Sequence, residues 1–156
     1  MRTVLFLCFI MLFLTACGED PTGRQTTIEF RKDGALAFLR PDGSAIRAIE
    51  VEIAENPTAR QTGMMNRRSM TLNQGMLFIF RDEAERNFWM KNTPIPLDII
   101  FVNADMKIIH IAKRTRPLSE ERVPSNGPAQ YVVEVRGGFC DRFGLTEDAS
   151  IRWQRH

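Results

Sequence analysis

The residues best able to do chemistry crowd one short stretch, Phe88-Trp89-Met90-Lys91-Asn92-Thr93, followed by Ile95-Pro96-Leu97-Asp98. It sets an indole, a thioether, an ammonium, an amide and a carboxylate close together. Alternate side chains of an extended segment share a face, so Phe88 and Met90 point one way and Trp89 and Lys91 the other. The expected arrangement buries Phe88 and Met90 and lays Trp89 along a surface groove. Arg67, Lys91, Asn92 and Asp98 would stand at the rim of that groove, with the segment 114–128 beside it. An aromatic platform with a few convergent polar groups suits ligand binding, and the two cations favour an anionic or hydroxylated ligand. The same residues also admit an architectural role. Asn92 and Thr93 would then fix a chain break by bonding to backbone, and Asp98 would pair with Lys91 or Arg67.

Two other chemistries can be written on these residues. Thioethers suit Cu(I), and Met64, Met65 and Met90 near Trp89 could form a soft-metal site; the alternative is that they fill the core. A hydrolase would use Asp98, with Glu134 as its partner carboxylate, both on expected strands. A serine triad would need His110, which has no nucleophile elbow to serve and lies between two isoleucines of a strand. Zinc would need ligand spacing that His110 and His156 lack. No cofactor motif is present.

The elements that must position these groups are mostly short β-like runs between turn signals. Strands are expected at 26–31, 35–39, 45–54, 75–80, 88–91, 97–103, 107–113 and 129–135, and 149–154 closes the chain. Ile49, Val51 and Ile53 alternate with Glu50 and Glu52, the pattern of a half-buried strand. Gly75–Phe80 is apolar on both faces, as a central strand would be. A short helix should begin at Asn56 as N-cap with Pro57 in the first turn and stop at Gly63. A second should span 138–143 and end at Gly144. The polar segment 114–128 reads as a long loop. About eight strands and two short helices make this a mainly β chain, a compact antiparallel β-sandwich or small barrel.

The chain has 156 residues and a formal net charge of +2, with acids and bases interspersed. No basic stripe with interleaved aromatics argues for nucleic acid. The first residues, MRTVLFLCFIMLFLTACGED, place Arg2 before an apolar run too short to span a bilayer permanently, the order of a secretory signal. Leu14-Thr15-Ala16-Cys17 resembles a bacterial lipobox. That resemblance implies cleavage before Cys17, acylation of its thiol and new amine, and a lipid bilayer as partner. Residues 1–16 would be the signal, 17–26 a lipidated tether, and 27–156 a single β-rich domain. Gly18, where an aspartate would favour inner-membrane retention, points to the outer membrane. Cys8 leaves with the signal and Cys17 takes lipid, so Cys140 has no disulfide partner and is expected to be buried and inert.

One ordered series remains: Gly63-Met64-Met65-Asn66-Arg67, Gly75-Met76-Leu77-Phe78-Ile79-Phe80, Phe88-Trp89-Met90-Lys91-Asn92-Thr93, Ile95-Pro96-Leu97-Asp98 and Tyr131-Val132-Val133-Glu134-Val135. It resembles the bacterial and archaeal family called domain of unknown function 192, from about Ile49 to Trp153. The resemblance implies a small secreted or membrane-anchored domain with a mostly antiparallel β fold. It brings no reaction, substrate or cofactor. Many members carry a Gly-Asp turn where this chain has Glu147-Asp148. The combined expectation is an envelope lipoprotein facing the periplasm. It would be a non-catalytic binding or structural module with an anionic or glycan ligand near Trp89 and Lys91. A periplasmic Cu(I) protein and an envelope hydrolase are the alternatives.

Overall fold

In the computed structural model, residues 28–156 are described; the expected signal, Cys17 and the expected tether lie outside them. The elements follow the chain as β1 (Gly34–Leu39), β2 (Ala45–Ala54), α1 (Pro57–Thr62), β3 (Gln74–Phe88), β4 (Leu97–Val102), β5 (Ile108–Thr115), β6 (Val123–Arg136), α2 (Phe139–Phe143) and β7 (Ser150–Arg155). One seven-stranded sheet holds all the strands, in the order β5-β4-β6-β3-β2-β1-β7. Every pair is antiparallel except β2 with β3, which α1 and the segment after it connect as a crossover. The sheet curls until its edges touch. Lys107 bridges Ser150, and Ile108 N donates to Ala149 O at 3.0 Å. The result is the barrel alternative, a half-barrel, and not a sandwich.

Period-2 alternation divides the apolar side chains between the two faces of this sheet. Leu36, Phe38, Val51, Leu77, Ile100, Val133 and Ile151 fill the inside of the curl. Phe139 of α2 packs there against Phe38, with ring centroids 5.4 Å apart. Met76, Phe78, Leu97, Ile99, Phe101 and Val132 cover the outer face, where Met64, Met70 and Met90 from the irregular segments close over them.

Local signals account for several elements as expected. Asn56 caps α1 by accepting from Ala59 N at 2.8 Å, Pro57 follows it, and Gly63 ends the helix. Gly138 and Gly144 bound α2, both left-handed. Three expectations fail. Of the strand expected at 26–31, the described residues 28–31 form none; Arg31 N bonds Glu52 Oε1 at 3.0 Å and Asp33 N bonds Val51 O at 3.0 Å, so this segment simply leads into β1. β3 runs on to Phe88, and 89–91 is therefore no separate strand. The loop 114–128 shrinks to 116–122, because β6 starts at Val123 despite Pro124 and Pro128. Those prolines pair with β3 on one edge only, since β4 bonds just Leu97–Val102 to Tyr131–Arg136, and a free edge tolerates a missing donor.

Asp98 fastens the inside. Its carboxylate is fully buried and accepts Arg114 N at 2.8 Å, Gly138 N at 3.0 Å and Cys140 N at 2.8 Å. It thus joins β4 to the end of β5 and caps α2, whose own N-cap Gly138 offers no side chain. Burial, with this carboxylate beside it, pushes the Cys140 thiol up, in keeping with an inert cysteine. Asp98→Asn turns one acceptor into a donor facing N–H groups. It should cost about 2–4 kcal/mol in urea unfolding; an unchanged midpoint would refute this tethering role.

Candidate functional site

On the outer face, cross-strand pairing sets Glu52, Met76, Glu134 and Ile99 in one row across β2, β3, β6 and β4. Two of these four are buried acids. Glu52 is satisfied: Arg67 Nη2 reaches its Oε2 at 2.7 Å and Arg31 Nη1 at 3.2 Å. Glu134 is not. Among the described residues, none bonds its buried Oε2. Burial pushes this carboxyl up to about 8 from an ordinary 4.5.

Glu134 lies at a mainly apolar cavity of about 260 Å³, walled by Met64, Met65, Phe78, Phe80, Phe88 and Trp89. Arg60 to Gly63 of the α1 end, Asn87 of β3, Lys91 and Thr93 complete the lining. Phe88 meets Phe78 edge-on at 5.0 Å and Phe80 at 6.5 Å, which holds the walls in place. Gly63 adopts φ +46°, and a Cβ there would come within 3.2 Å of the Phe78 ring and 3.8 Å of Glu134 Oε2. The missing side chain therefore lets α1 end close above the carboxyl without filling the space.

The rim cations are occupied elsewhere. Arg60 stacks over Phe80 at 5.0 Å and donates to the carbonyls of Glu55 and Ile79, while Lys91 pairs with Glu120 at 3.3 Å. Trp89 is 45 % exposed, and Lys91 Nζ sits 5.5 Å from its ring centroid. Asn92, held at φ 55°, borders an adjoining depression with Trp89, Lys91 and Met65. Its carbonyl accepts Asn66 N at 2.7 Å. Buried Thr93 bonds the Lys91 carbonyl at 3.3 Å, as a turn residue should.

Trp89, Lys91, Met64 and Met65 thus line the cavity, Asn92 borders the depression beside it, and Arg67, Asp98 and Met90 line neither. Arg67 is committed to Glu52. Asp98 pairs with neither Lys91 nor Arg67, because it faces the inside of the curl. Met90 is buried in the same apolar cluster as Met64, and its Sδ accepts from Thr115 Oγ1 at 3.1 Å, while Met64 and Met65 line the cavity. The hydrolytic pairing fails by alternation. Ile99, not Asp98, stands opposite Glu134, which puts the two carboxylates on opposite faces of the sheet. His110 bonds Glu147 at 3.2 Å.

The feature missed in the sequence is the isolation of Glu134. Its only signal was an acid inside the apolar run Tyr131-Val132-Val133-Glu134-Val135. That isolation has a measurable consequence. The folded value lies above the unfolded one, so stability is full below pH 4.5 and is lost as pH rises through about 8. The loss approaches 5 kcal/mol, on the order of 1.4 kcal/mol per pH interval. Glu134→Gln should match the wild type near pH 5 and exceed it in denaturant unfolding near pH 9. Parallel pH profiles would contradict the burial.

The crystal structures that resemble this one include two of bacterial proteins. A Sinorhizobium meliloti protein, described provisionally as a transcription regulator, is 31% identical, with a TM-score of 0.75, over 81% of this chain and 96% of that one. A Novosphingobium aromaticivorans protein of unknown function is 31% identical, with a TM-score of 0.72, over 76% and 84%. Among curated proteins, none matches. The family model of domain of unknown function 192, described as an uncharacterized ACR, matches residues 37–153, and the chain belongs to that family.

Proposed function

We propose that this chain is a cell-envelope lipoprotein whose domain binds a small, mainly apolar ligand in the cavity over Glu134. One observation carries the reading: an enclosed carboxyl without a partner, at the bottom of an aromatic and thioether wall. Only one carboxylate lines this cavity, which favours binding over two-carboxylate hydrolysis. Of the two ligand chemistries expected at the rim, the hydroxylated one fits better than the anionic. Arg60 and Lys91 are already engaged, and an anion would face the Glu134 carboxyl. A sugar ring laid against Trp89, with its hydroxyl groups hydrogen-bonded, would fall within this class. The description of the Sinorhizobium protein as a regulator finds little support here, since 21 basic and 19 acidic residues are interspersed.

The anchor rests on the lipobox-like Leu14-Thr15-Ala16-Cys17. Acylated there, the domain would hang from a tether on the periplasmic side, with the outer membrane favoured by Gly18. No helix among the described residues is long and apolar enough to cross a membrane.

Two experiments test these halves separately. Benzyl alcohol, a neutral apolar probe, should change tryptophan fluorescence saturably in the millimolar range, and Met65→Trp, which fills the cavity, should abolish binding. A linear, unsaturable response would sink the pocket. Radiolabelled palmitate should enter the wild-type chain and not Cys17→Ser; equal labelling of both would sink the anchor.

A further inference from the structure

The lone carboxyl raises the question of what it is meant to meet. A buried acid is normally satisfied, and this sheet does so twice nearby, with backbone N–H groups at Asp98 and arginines at Glu52. Glu134 Oε2 has neither, though it lies beside a cavity large enough for a small organic molecule. The missing element is a hydrogen-bonding partner for this carboxyl, and the surroundings say which kind. Phe78, Phe80, Phe88 and Trp89 line the same space, and aromatic faces attract cations. The protein's own cations already use such faces, Arg60 and Arg86 on Phe80 and Lys91 on Trp89.

We propose that the pocket takes a small primary or secondary organic ammonium, whose N–H donors pair with Glu134 while its hydrocarbon part fills the aromatic cavity. This rests on the binding reading given above and names its ligand class.

The charges around Glu134 leave room for such a guest. From α1, Arg60 is held by two backbone carbonyls and by Phe80. From the turn after β3, Lys91 is paired with Glu120. From β2, Glu52 is neutralised by Arg67 and Arg31. From β4, Asp98 lies on the other face with its three donors. From β3, Met76 stands opposite Glu134, and Phe78, Phe80, Asn87 and Phe88 line the cavity without charge, while Arg86, over Phe80, is held by Asp82 and the Ala129 carbonyl. The counter-charge is therefore left for the ligand to supply.

The proton balance is explicit. The empty pocket holds Glu134 as the neutral acid. Binding of an ammonium leaves a carboxylate beside an ammonium and releases one proton to solvent. With the carboxyl at about 8, roughly one site in ten is ionised at pH 7, so binding there should release about 0.9 proton. Ammonium affinity should rise about fiftyfold from pH 6 to pH 8, whereas a neutral ligand bound to the acid should change by about twofold at most.

The test compares benzylammonium, benzyl alcohol and benzoate on the full chain, by calorimetry in buffers of different ionisation enthalpy. The proposal expects benzylammonium to bind best at pH 8, with proton release at pH 7. It also expects Glu134→Gln to lose the preference for the amine while keeping benzyl alcohol. If benzyl alcohol or benzoate binds as well as the amine, or the wild type releases no proton, the ammonium assignment is overturned and the pocket stands. If none of the three binds, both the assignment and the pocket reading are overturned. The proton measurement needs only the wild-type chain, so it decides even where the variant fails to fold.

Discussion

The three backbone donors gathered by Asp98 are the contact on which the rest of the structure depends. β4, the last turn of β5 and the start of α2 come from separate parts of the chain. One buried carboxylate joins them. That knot fixes how β4 lies on β6, with Asp98 opposite Val135 and Ile99 opposite Glu134. A slip of β4 by one residue would carry Asp98 to the outer face, away from its three donors, and turn Ile99 inward, while β6 keeps its place on β3. Glu134 would then lose its apolar neighbour Ile99. The surroundings of the cavity acid therefore depend in part on a contact on the opposite side of the sheet.

Three carboxylates are buried in this domain, and each meets a different solution. Asp98 is satisfied by peptide N–H groups, and Glu52 by guanidinium groups. Glu134 is satisfied by neither, and it keeps its proton through much of the neutral range instead. Leaving a buried polar atom unpaired costs on the order of 1–3 kcal/mol. A fold that solves the same problem twice within one sheet has the means to solve it a third time. An orphan acid beside a cavity, shifted by desolvation, fits the general pattern of functional groups better than that of structural ones.

The walls of the cavity and its mouth are built differently. Phe78 and Phe80 sit on β3, held by the ladder to β6. The mouth comes from the end of α1 and the turn after β3, where Gly63, Asn66 and Asn92 take positive φ. Such conformations persist only when neighbours hold them, here through the bond from Asn66 N to the Asn92 carbonyl. A rigid floor under a mouth of irregular backbone suits a site that admits and releases a guest.

Much of this was legible in the linear chain. The cap and proline at Asn56-Pro57, the stops at Gly63 and Gly144, and the alternation of Ile49, Val51 and Ile53 depend on neighbours a few residues away. So does the opposition of Trp89 to Met90, one exposed and one buried. The family series carries the same local information, since it records which side chains alternate and where the chain must turn. Length of pairing was not legible: β3 and β6 run past their apolar cores into polar and proline-bearing sequence because each supplies the other's ladder. Nor could a reader of one strand know which of Arg67, Lys91 or backbone would reach Asp98, Glu52 or Glu134. The sequence by itself determined a β-rich domain, its caps and which side chains along a strand share a face, because these follow from local stereochemistry. Only the tertiary structure decided which buried acid is paired and which is left alone, because a carboxylate's partners come from strands and loops distant along the chain.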